Sequence, residues 1–240
     1  MPLRGDYHTH TRYSHGRGTI RDNVAQAAAL GLEAIAITDH GPGSIFVGLK
    51  RGLEQIKDEA KACADEFGIQ VLVGLEANIV DLEGHIDIET SIIEELDILL
   101  VGLHHWVWPR NLQALCHFYG AVPLGWPGIR EKNTEALIGA IRRYPVTCIT
   151  HPGLKMAIDT AQLACAAVGY GTALEINTSH RQVDVDYIQV AAGTGVDFLI
   201  NSDAHTPQRV GDFAWGVELV ERSGLPWERV RNSWQGKGLP

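Results

Sequence analysis

Short apolar runs alternate along this chain with longer stretches in which apolar residues recur every three or four positions. The stretch from residue 20 to residue 30 shows this helical spacing and is followed by Gly31, a residue type that often ends helices. The run AIAIT at residues 34–38 comes next and is typical of a buried strand. Such runs lack polar alternation, as expected of strands that are covered on both faces. The pattern therefore predicts parallel strands joined by helices.

Seven strand and helix units follow one another in this way. After a first strand that carries His8 and His10, the predicted strands span residues 34–38, 70–75, 97–103, 146–150, 172–176 and 197–201. The predicted helices span residues 20–30, 53–67, 88–96, 131–143, 158–168, 183–192 and 214–222. Short loops between such units imply right-handed crossovers. We therefore expect a single α/β domain over residues 1–226, folded as a closed or nearly closed (β/α)7 barrel.

Two segments do not follow this alternation of strands and helices. Residues 106–130 contain three tryptophans, Trp106, Trp108 and Trp126, and one short helix is expected at residues 112–119. A connection of this length is usually functional or mobile, so it is interpreted as an inserted lid that contacts a flat or apolar part of a substrate. Ordinary core packing of the tryptophans is the alternative. The tail at residues 227–240 is expected to be loosely ordered.

Residues of metal-binding types stand at the ends of six of these strands, and in a parallel barrel those ends meet at one rim, where active sites lie. Strand side chains two residues apart point the same way, so the imidazoles of His8 and His10 are expected side by side. The candidate ligands are His8, His10, His15, His40, Glu76, His104, His151, Asp203 and His205. Nitrogen and oxygen ligands without thiolate suit Zn, Mn or Fe. Nine exceed the roughly three protein ligands of one catalytic zinc, so two or three divalent ions are implied.

The formal net charge of −9 gives no sign of a broad basic surface, which disfavours duplex nucleic acid as a partner. A nucleotide substrate stays open, because bound cations would reverse the local field. The cysteines at positions 63, 116, 148 and 165 form no CxxC pair, and we expect buried small apolar residues in a reducing compartment. The sequence shows no signal peptide and no apolar run near the ~18 residues of a membrane span. A cytoplasmic protein without membrane contact is expected.

Four motifs, in this order, resemble those of the PHP (polymerase and histidinol phosphatase) superfamily of metal-dependent phosphoesterases. They are His8-Thr9-His10, Thr38-Asp39-His40, the run Gly74-Leu75-Glu76 with His104 and His151 after it, and Ser202-Asp203-Ala204-His205. The stretches at residues 74–79 and 174–177 look like those of the small stand-alone, YcdX-like bacterial phosphatases. The resemblance covers nearly the whole chain and implies a distorted, TIM-like (β/α)7 barrel that holds a trinuclear metal centre.

The resemblance also implies how the ligands divide among three divalent ions. His8, His10, Glu76 and Asp203 would hold the first ion; Glu76 would bridge to a second that His104 and His151 complete; and His15, His40 and His205 would hold the third. His104 and His105 are adjacent, and strand alternation lets only one of them face the rim. The family pattern favours His104.

Clustered divalent ions lower the pKa of bound water and clamp phosphoryl oxygens, so we hypothesise that a metal-bound hydroxide attacks the phosphate ester in line with the leaving oxygen. Glu76, Asp203 and His205 are the expected catalytic residues. His180 and Arg181, just beyond the sixth strand, are expected to bind the substrate's phosphate. Asp39 is expected either to orient His40 or to cap a helix.

The sequence thus favours a phosphatase that acts on a small phosphomonoester. The alternative is a phosphodiesterase or 3′-5′ exonuclease, since the PHP domains of DNA polymerases resemble this site. Histidinol-phosphate and protein-tyrosine phosphatases of the PHP type stay open, and a non-catalytic metal-binding scaffold is a further reading. The related amidohydrolase barrels would be expected to place a lysine at a strand end, and no predicted strand ends in one.

Overall fold

The barrel is built from seven parallel strands in sequential order, β1 to β7. The computed structural model describes residues 2–45, 52–181 and 183–239. The strands are β1 Gly5–Asp6, β2 Ala34–Ile37, β3 Gln70–Asn78, β4 Ile98–Gly102, β5 Cys148–Ile149, β6 Ala173–Asn177 and β7 Phe198–Asn201. The predicted α/β class, strand number and parallel arrangement are therefore confirmed. β1 ends earlier than expected, before the histidine pair.

The sheet closes on itself between the segments that follow β1 and β7. Thr9 and Ala204 form an isolated parallel bridge. The backbone N–H of His10 donates to the carbonyl of Ala204 at 2.9 Å, and the N–H of Ala204 donates to the carbonyl of His8 at 3.3 Å. Two of the predicted ligand motifs thus form the seam of the barrel, where backbone pairing fixes their positions.

Helices cover the outside of the sheet. They are α1 Ile20–Ala29, α2 Leu53–Phe67, α3 Thr90–Ile93, α4 Leu112–Cys116, α5 Val122–Leu124, α6 Ile129–Arg143, α7 Thr160–Tyr170, α8 Val185–Ala192 and α9 Ala214–Ser223. A turn of π-helix, His117–Ala121, joins α4 to α5. A capping box between Thr19 and Asp22 starts α1, and left-handed Gly68 ends α2. No helix of the described residues is long and apolar enough to cross a membrane.

Alternate strand positions supply two apolar clusters. In β2, Ile35 and Ile37 pack with residues of the surrounding helices in the larger cluster. Ala34 and Ala36 belong to the smaller cluster, with residues such as Leu100 and Leu199 of other strands. This smaller cluster fills the barrel interior, so the rim is held on a packed base.

The expectation of a loosely ordered tail is wrong for residues 227–239; residue 240 lies outside the described residues. Val230 is fully buried and forms a parallel bridge with Phe198 at the start of β7. The amide of Asn232 donates to the carbonyl of Gly5 at 2.9 Å and to that of Ile200 at 2.6 Å. The tail therefore ties β1 to β7 and closes the same seam from below the rim.

The four cysteines are free thiols. Cys63 and Cys148 are buried, as expected of small apolar residues, whereas Cys116 and Cys165 are exposed. The expectation is therefore right for two positions and wrong for the other two, because α4 and α7 turn those side chains outward.

Candidate metal centre

His8 and His10 lie directly after β1, with both side chains fully buried. Their Nε2 atoms are 3.1 Å apart, and the bridge at Thr9 turns the intervening side chain away from them. The strand is shorter than predicted, but the expected side-by-side placement of the two imidazoles is present. Two nitrogen atoms this close, aimed at the same point, suit a shared cation.

Glu76 lies inside β3, fully buried, at the centre of the predicted ligands. Its Oε1 is 2.9 Å from Nε2 of His151 and 3.3 Å from Nε2 of His104. Its Oε2 is 2.9 Å from Nδ1 of His40 and 3.4 Å from Nε2 of His8. The two carboxylate oxygens thus face different sets of imidazoles, which is the arrangement that a bridging carboxylate needs.

Asp203 lies on the side of the cluster where His10 and His205 are found. Its Oδ1 is 3.2 Å from Nε2 of His10 and 3.4 Å from Nδ1 of His205. The residue has a left-handed backbone with φ of 49°, an uncommon conformation that costs of order 1 kcal/mol and is often found at functional sites. The amide of Asn177 donates to Oδ2 at 3.1 Å.

His15 and His205 complete the group on the outer side. The ring of His15 lies 4.9 Å from that of His40 and 4.2 Å from that of His205. With His10, these three residues can bring one ligand atom each to within 4.8 Å of one another. All nine predicted ligands therefore converge at the rim; we call them the ligand cluster.

The electrostatics of the ligand cluster favour an ionised Glu76 and neutral imidazoles at His104 and His15. Burial opposes ionisation of Glu76, but the charges of His8, His104 and His40 hold the pKa of its carboxyl well below its usual range. Burial lowers the pKa of His104 to about 4. Burial and the nearby His205 lower the pKa of His15 to about 4. Burial opposes the charged form of His8 and His151 as well, but the carboxylates around these two histidines raise the pKa of both. Ionised carboxylates and neutral imidazoles are the forms that coordinate a cation.

Unsatisfied polar atoms give a separate test of whether metal ions fit. Buried side-chain atoms of the ligand cluster without a hydrogen bond are Nδ1 of His10, His15, His40 and His104 and Oε2 of Glu76. Buried polar groups are nearly always hydrogen-bonded, so this concentration requires an explanation. Divalent cations at the cluster would satisfy Oε2 of Glu76 and Nδ1 of His40, and the donor set therefore fits metal ions.

Sequence reasoning assigned no role to Glu175, which the structure places against the ligand cluster. It is fully buried, and its Oε1 lies 2.8 Å from Nδ1 of His8. Its Oε2 accepts a hydrogen bond from the backbone N–H of His151 at 2.7 Å. A carboxylate on the far ring nitrogen fixes the tautomer and orientation of a ligand histidine. The available signal was an acidic residue within an otherwise apolar strand.

Both roles expected for Asp39 are wrong. Its carboxylate accepts hydrogen bonds from the backbone N–H and hydroxyl of Thr11, at 2.7 and 2.6 Å, and from the N–H of Ser14 at 3.2 Å. It therefore orders the loop between His10 and His15 and caps none of the described helices.

A cavity of about 500 Å³ opens beside the ligand cluster. Its lining is His40, Ser44, Leu103, His104, His105, Trp106, Val122, Pro123, His151, Leu154, Lys155 and His180. No Asp or Glu is present among the described lining residues, although the chain is acidic overall. The cavity therefore suits an anion.

The structure separates the two residues that were expected to bind phosphate. His180 lines the cavity, with Nε2 3.4 Å from Oδ2 of Asp203. Arg181 is absent from the described lining, and its guanidinium carbon lies 5.4 Å from the ring centroid of Trp215. Lys155, which sequence reasoning missed, lines the cavity instead and has a left-handed backbone with φ of 57°.

Comparison with known proteins finds a family profile and relatives that match most of the chain. A profile of the PHP domain matches residues 6–180. The chain is similar to a probable phosphatase of Shewanella frigidimarina, with 34% identity over 249 residues that cover 97% of this chain and 90% of the relative. A probable phosphatase of Caldanaerobacter subterraneus is 34% identical over 241 residues, which cover 95% of this chain and 86% of that one.

A solved structure shares the fold at low sequence identity. It is the histidinol phosphate phosphatase of Lactococcus lactis, complexed with zinc, L-histidinol and phosphate. The TM-score is 0.64 at 16% identity, and the match covers 93% of this chain and 95% of that one. The likeness extends over nearly the whole of both barrels.

Proposed function

The chain belongs to the PHP domain family, and we propose that it is a phosphatase that hydrolyses a small phosphomonoester at a centre of three divalent metal ions. The observation that carries this proposal is the convergence of nine nitrogen and oxygen ligands beside a cavity whose described lining holds no carboxylate. Such a site favours an anionic ester over a neutral or cationic substrate.

The ligand cluster offers three groups of donor atoms for the ions. The proposed groups are His8, His10, Glu76 and Asp203; Glu76, His104 and His151; and His15, His40 and His205. Zn, Mn or Fe suits this donor set. When bound, the ions would supply an activated water at neutral pH and stabilise the charge that develops on the phosphoryl oxygens.

The chain's own residues prepare this chemistry. Glu76 presents one oxygen to each side of the cluster, because β3 holds its side chain at the centre. Glu175 keeps Nε2 of His8 aimed inward by accepting from Nδ1. His180 and Lys155 supply hydrogen-bond donors in the cavity for the outer oxygens of the phosphate. Asp203 and His205, which lie beside His10, are the other proposed catalytic residues.

We infer a small phosphate ester as the substrate from the size of the cavity beside the cluster. Trp106, Val122 and Pro123 line the same cavity as His104 and His151. A volume of about 500 Å³ lies within the ~300–1,000 Å³ range of small-molecule sites. The competing function is a phosphodiesterase that acts on nucleotides, and the assay must distinguish it from a phosphatase.

The deciding experiment compares p-nitrophenyl phosphate with bis(p-nitrophenyl) phosphate on protein loaded with Mn or with Zn. We expect kcat/KM to be larger for the monoester. A larger value for the diester would replace the proposal by a phosphodiesterase. Absence of turnover of both esters by protein that binds three ions would support a non-catalytic scaffold instead.

A further inference from the structure

Two connections between β-strands line the cavity beside the ligand cluster. Val122 and Pro123, at the start of α5, are lining residues of one connection and are called the α5 wall. Leu154 and Lys155 are lining residues of the other, which follows β5; its residues 152–158 are called the β5 loop. Connections are generally more mobile than the elements they join, so the contacts that order these two determine the shape of the cavity.

The tryptophans of the first connection do not order the α5 wall by core packing. Their exposed fractions are 55% for Trp106, 65% for Trp108 and 60% for Trp126, so the core-packing interpretation is wrong for all three. His117, by contrast, is 4% exposed and begins the π-helical turn that leads into α5. Its backbone carbonyl accepts a hydrogen bond from the N–H of Val122. His117 is therefore a buried anchor of the α5 wall.

The β5 loop has an uncommon backbone. Lys155 has a φ of 57°, and His151, just before the loop, has a φ of 28°. Such conformations of residues other than glycine persist only where the surrounding structure holds them. Met156 packs into the larger apolar cluster, but apolar contact has no directional preference. Within the described part of the chain, one hydrogen bond joins the β5 loop to another element, and the carbonyl of Ala157 accepts it.

The side chain of Asn133 holds both connections. Asn133 lies in α6, is fully buried, and is absent from the described lining of the cavity. Its Nδ2 donates to the carbonyl of Ala157 at 3.0 Å, and its Oδ1 lies 2.8 Å from Nε2 of His117. An amide oxygen only accepts, so Nε2 of His117 carries the proton of this bond. One planar amide thus fixes the β5 loop relative to the anchor of the α5 wall.

We propose that Asn133 is a positioning residue of the substrate site, whose amide holds Lys155 at a fixed place opposite the ligand cluster. This inference rests on the proposed phosphatase function, in which Lys155 binds an outer oxygen of the phosphate. A small displacement of a binding group, caused by a change far from the chemistry, can cost a large factor in rate. Asn133 touches neither the substrate nor the ligand cluster, so its loss should weaken binding and leave bond breaking nearly intact.

The first test is the variant Asn133→Leu, which keeps the branched shape of the side chain and removes both hydrogen bonds. We expect KM for p-nitrophenyl phosphate to rise about fivefold, with kcat within about twofold of wild type. If this variant does not fold, Asn133→Ala, which is smaller, takes its place in every measurement. An unchanged KM in the folded variant would overturn the inference.

Thr134→Val is the matched control, because Thr134 is the next residue of α6 and is also fully buried. Its hydroxyl donates to the carbonyl of Arg130 at 2.7 Å and accepts from the N–H of Asp159 at 2.7 Å, so it binds neither the β5 loop nor His117. Thr134→Val should lose stability to a similar extent and keep the wild-type KM. An equal rise in KM for this variant would mean a general loosening and would overturn the inference.

A double-mutant cycle asks whether Asn133 acts through Lys155. In a Lys155→Asn background, Asn133→Leu should raise KM by less than about twofold, because no lysine is left to position. Two effects that multiply in full would show that Asn133 acts independently of Lys155 and would overturn the inference.

Calorimetry with inorganic phosphate and Mn-loaded protein separates this inference from the proposed function. We expect Asn133→Leu to bind phosphate about fivefold more weakly than wild type, and Thr134→Val to bind it equally well. This result would support the positioning role even if the wild-type protein hydrolyses no ester, an outcome that would refute the phosphatase alone. Equal phosphate affinities of Asn133→Leu and wild type would overturn the positioning role and leave the phosphatase intact.

Discussion

Oε2 of Glu76 lies 2.9 Å from Nδ1 of His40, yet neither atom makes a hydrogen bond with acceptable geometry. Each unsatisfied buried polar atom costs about 1–3 kcal/mol. Cations bound at the cluster would remove both costs, because each atom would then face a positive charge. The pair is therefore a direct probe of whether metal ions stabilise this cluster.

Glu76→Gln is predicted to abolish hydrolysis and lower the metal content, because an amide cannot present an anionic oxygen to each side of the cluster. The loss of activity should exceed the ~10–100-fold effect of residues that only orient ligands. Metal content is measured by mass spectrometry of the purified protein. Glu135→Gln, an exposed change on the same protein, should leave both quantities unchanged. Full activity of the Glu76→Gln variant would rule out the proposed mechanism.

Glu175→Gln is predicted to weaken metal binding about 10–100-fold without removing a ligand. The reason is that Glu175 acts on His8 through Nδ1 and on the backbone of His151. Competition with a fluorescent chelator measures the affinity. Excess Mn should restore the rate of Glu175→Gln and fail to restore that of Glu76→Gln. If both variants respond alike to added metal, Glu175 has no separate positioning role.

The fold and the ligands could be predicted from the sequence because both follow a local pattern. The apolar run of β2 and the helical spacing of α2 are visible within ~15 residues. Parallel strands bring their ends to one rim whatever the loops do, so residues such as His40 and His151 could be placed together without a structure.

What could not be predicted depends on contacts distant in sequence. Glu175 is 167 residues from His8, and neither position indicates the other. The side chain of Arg181 turns to the Trp215 ring, although its neighbour His180 enters the cavity, since loop dihedrals beyond a strand follow no fixed period. The buried part of the tail is anchored by Asn232, a polar residue whose hydrogen-bond partners Gly5 and Ile200 lie in β1 and β7.

Lys155→Asn is predicted to raise KM several-fold for phosphate esters with a smaller change in kcat. The substitution removes a positive charge from the cavity, and asparagine tolerates the left-handed backbone at this position, so strain is not added. Steady-state kinetics on p-nitrophenyl phosphate measure both constants. Arg181→Asn is the matched control, and its KM should stay at the wild-type value. The opposite ranking of the two variants would assign phosphate binding to Arg181.

Asn232→Ala is predicted to lower the free energy of unfolding by about 3 kcal/mol, because it leaves buried backbone groups without partners. Asn232 donates to the carbonyls of Gly5 and Ile200 and accepts from the N–H of Ile200 at 3.1 Å. Chemical denaturation of metal-free protein measures the change without a contribution from bound ions. Gln235→Ala, an exposed position in the same tail, should stay within about 0.5 kcal/mol of wild type. Equal stabilities of the two variants would mean that the tail is not needed to hold β1 against β7.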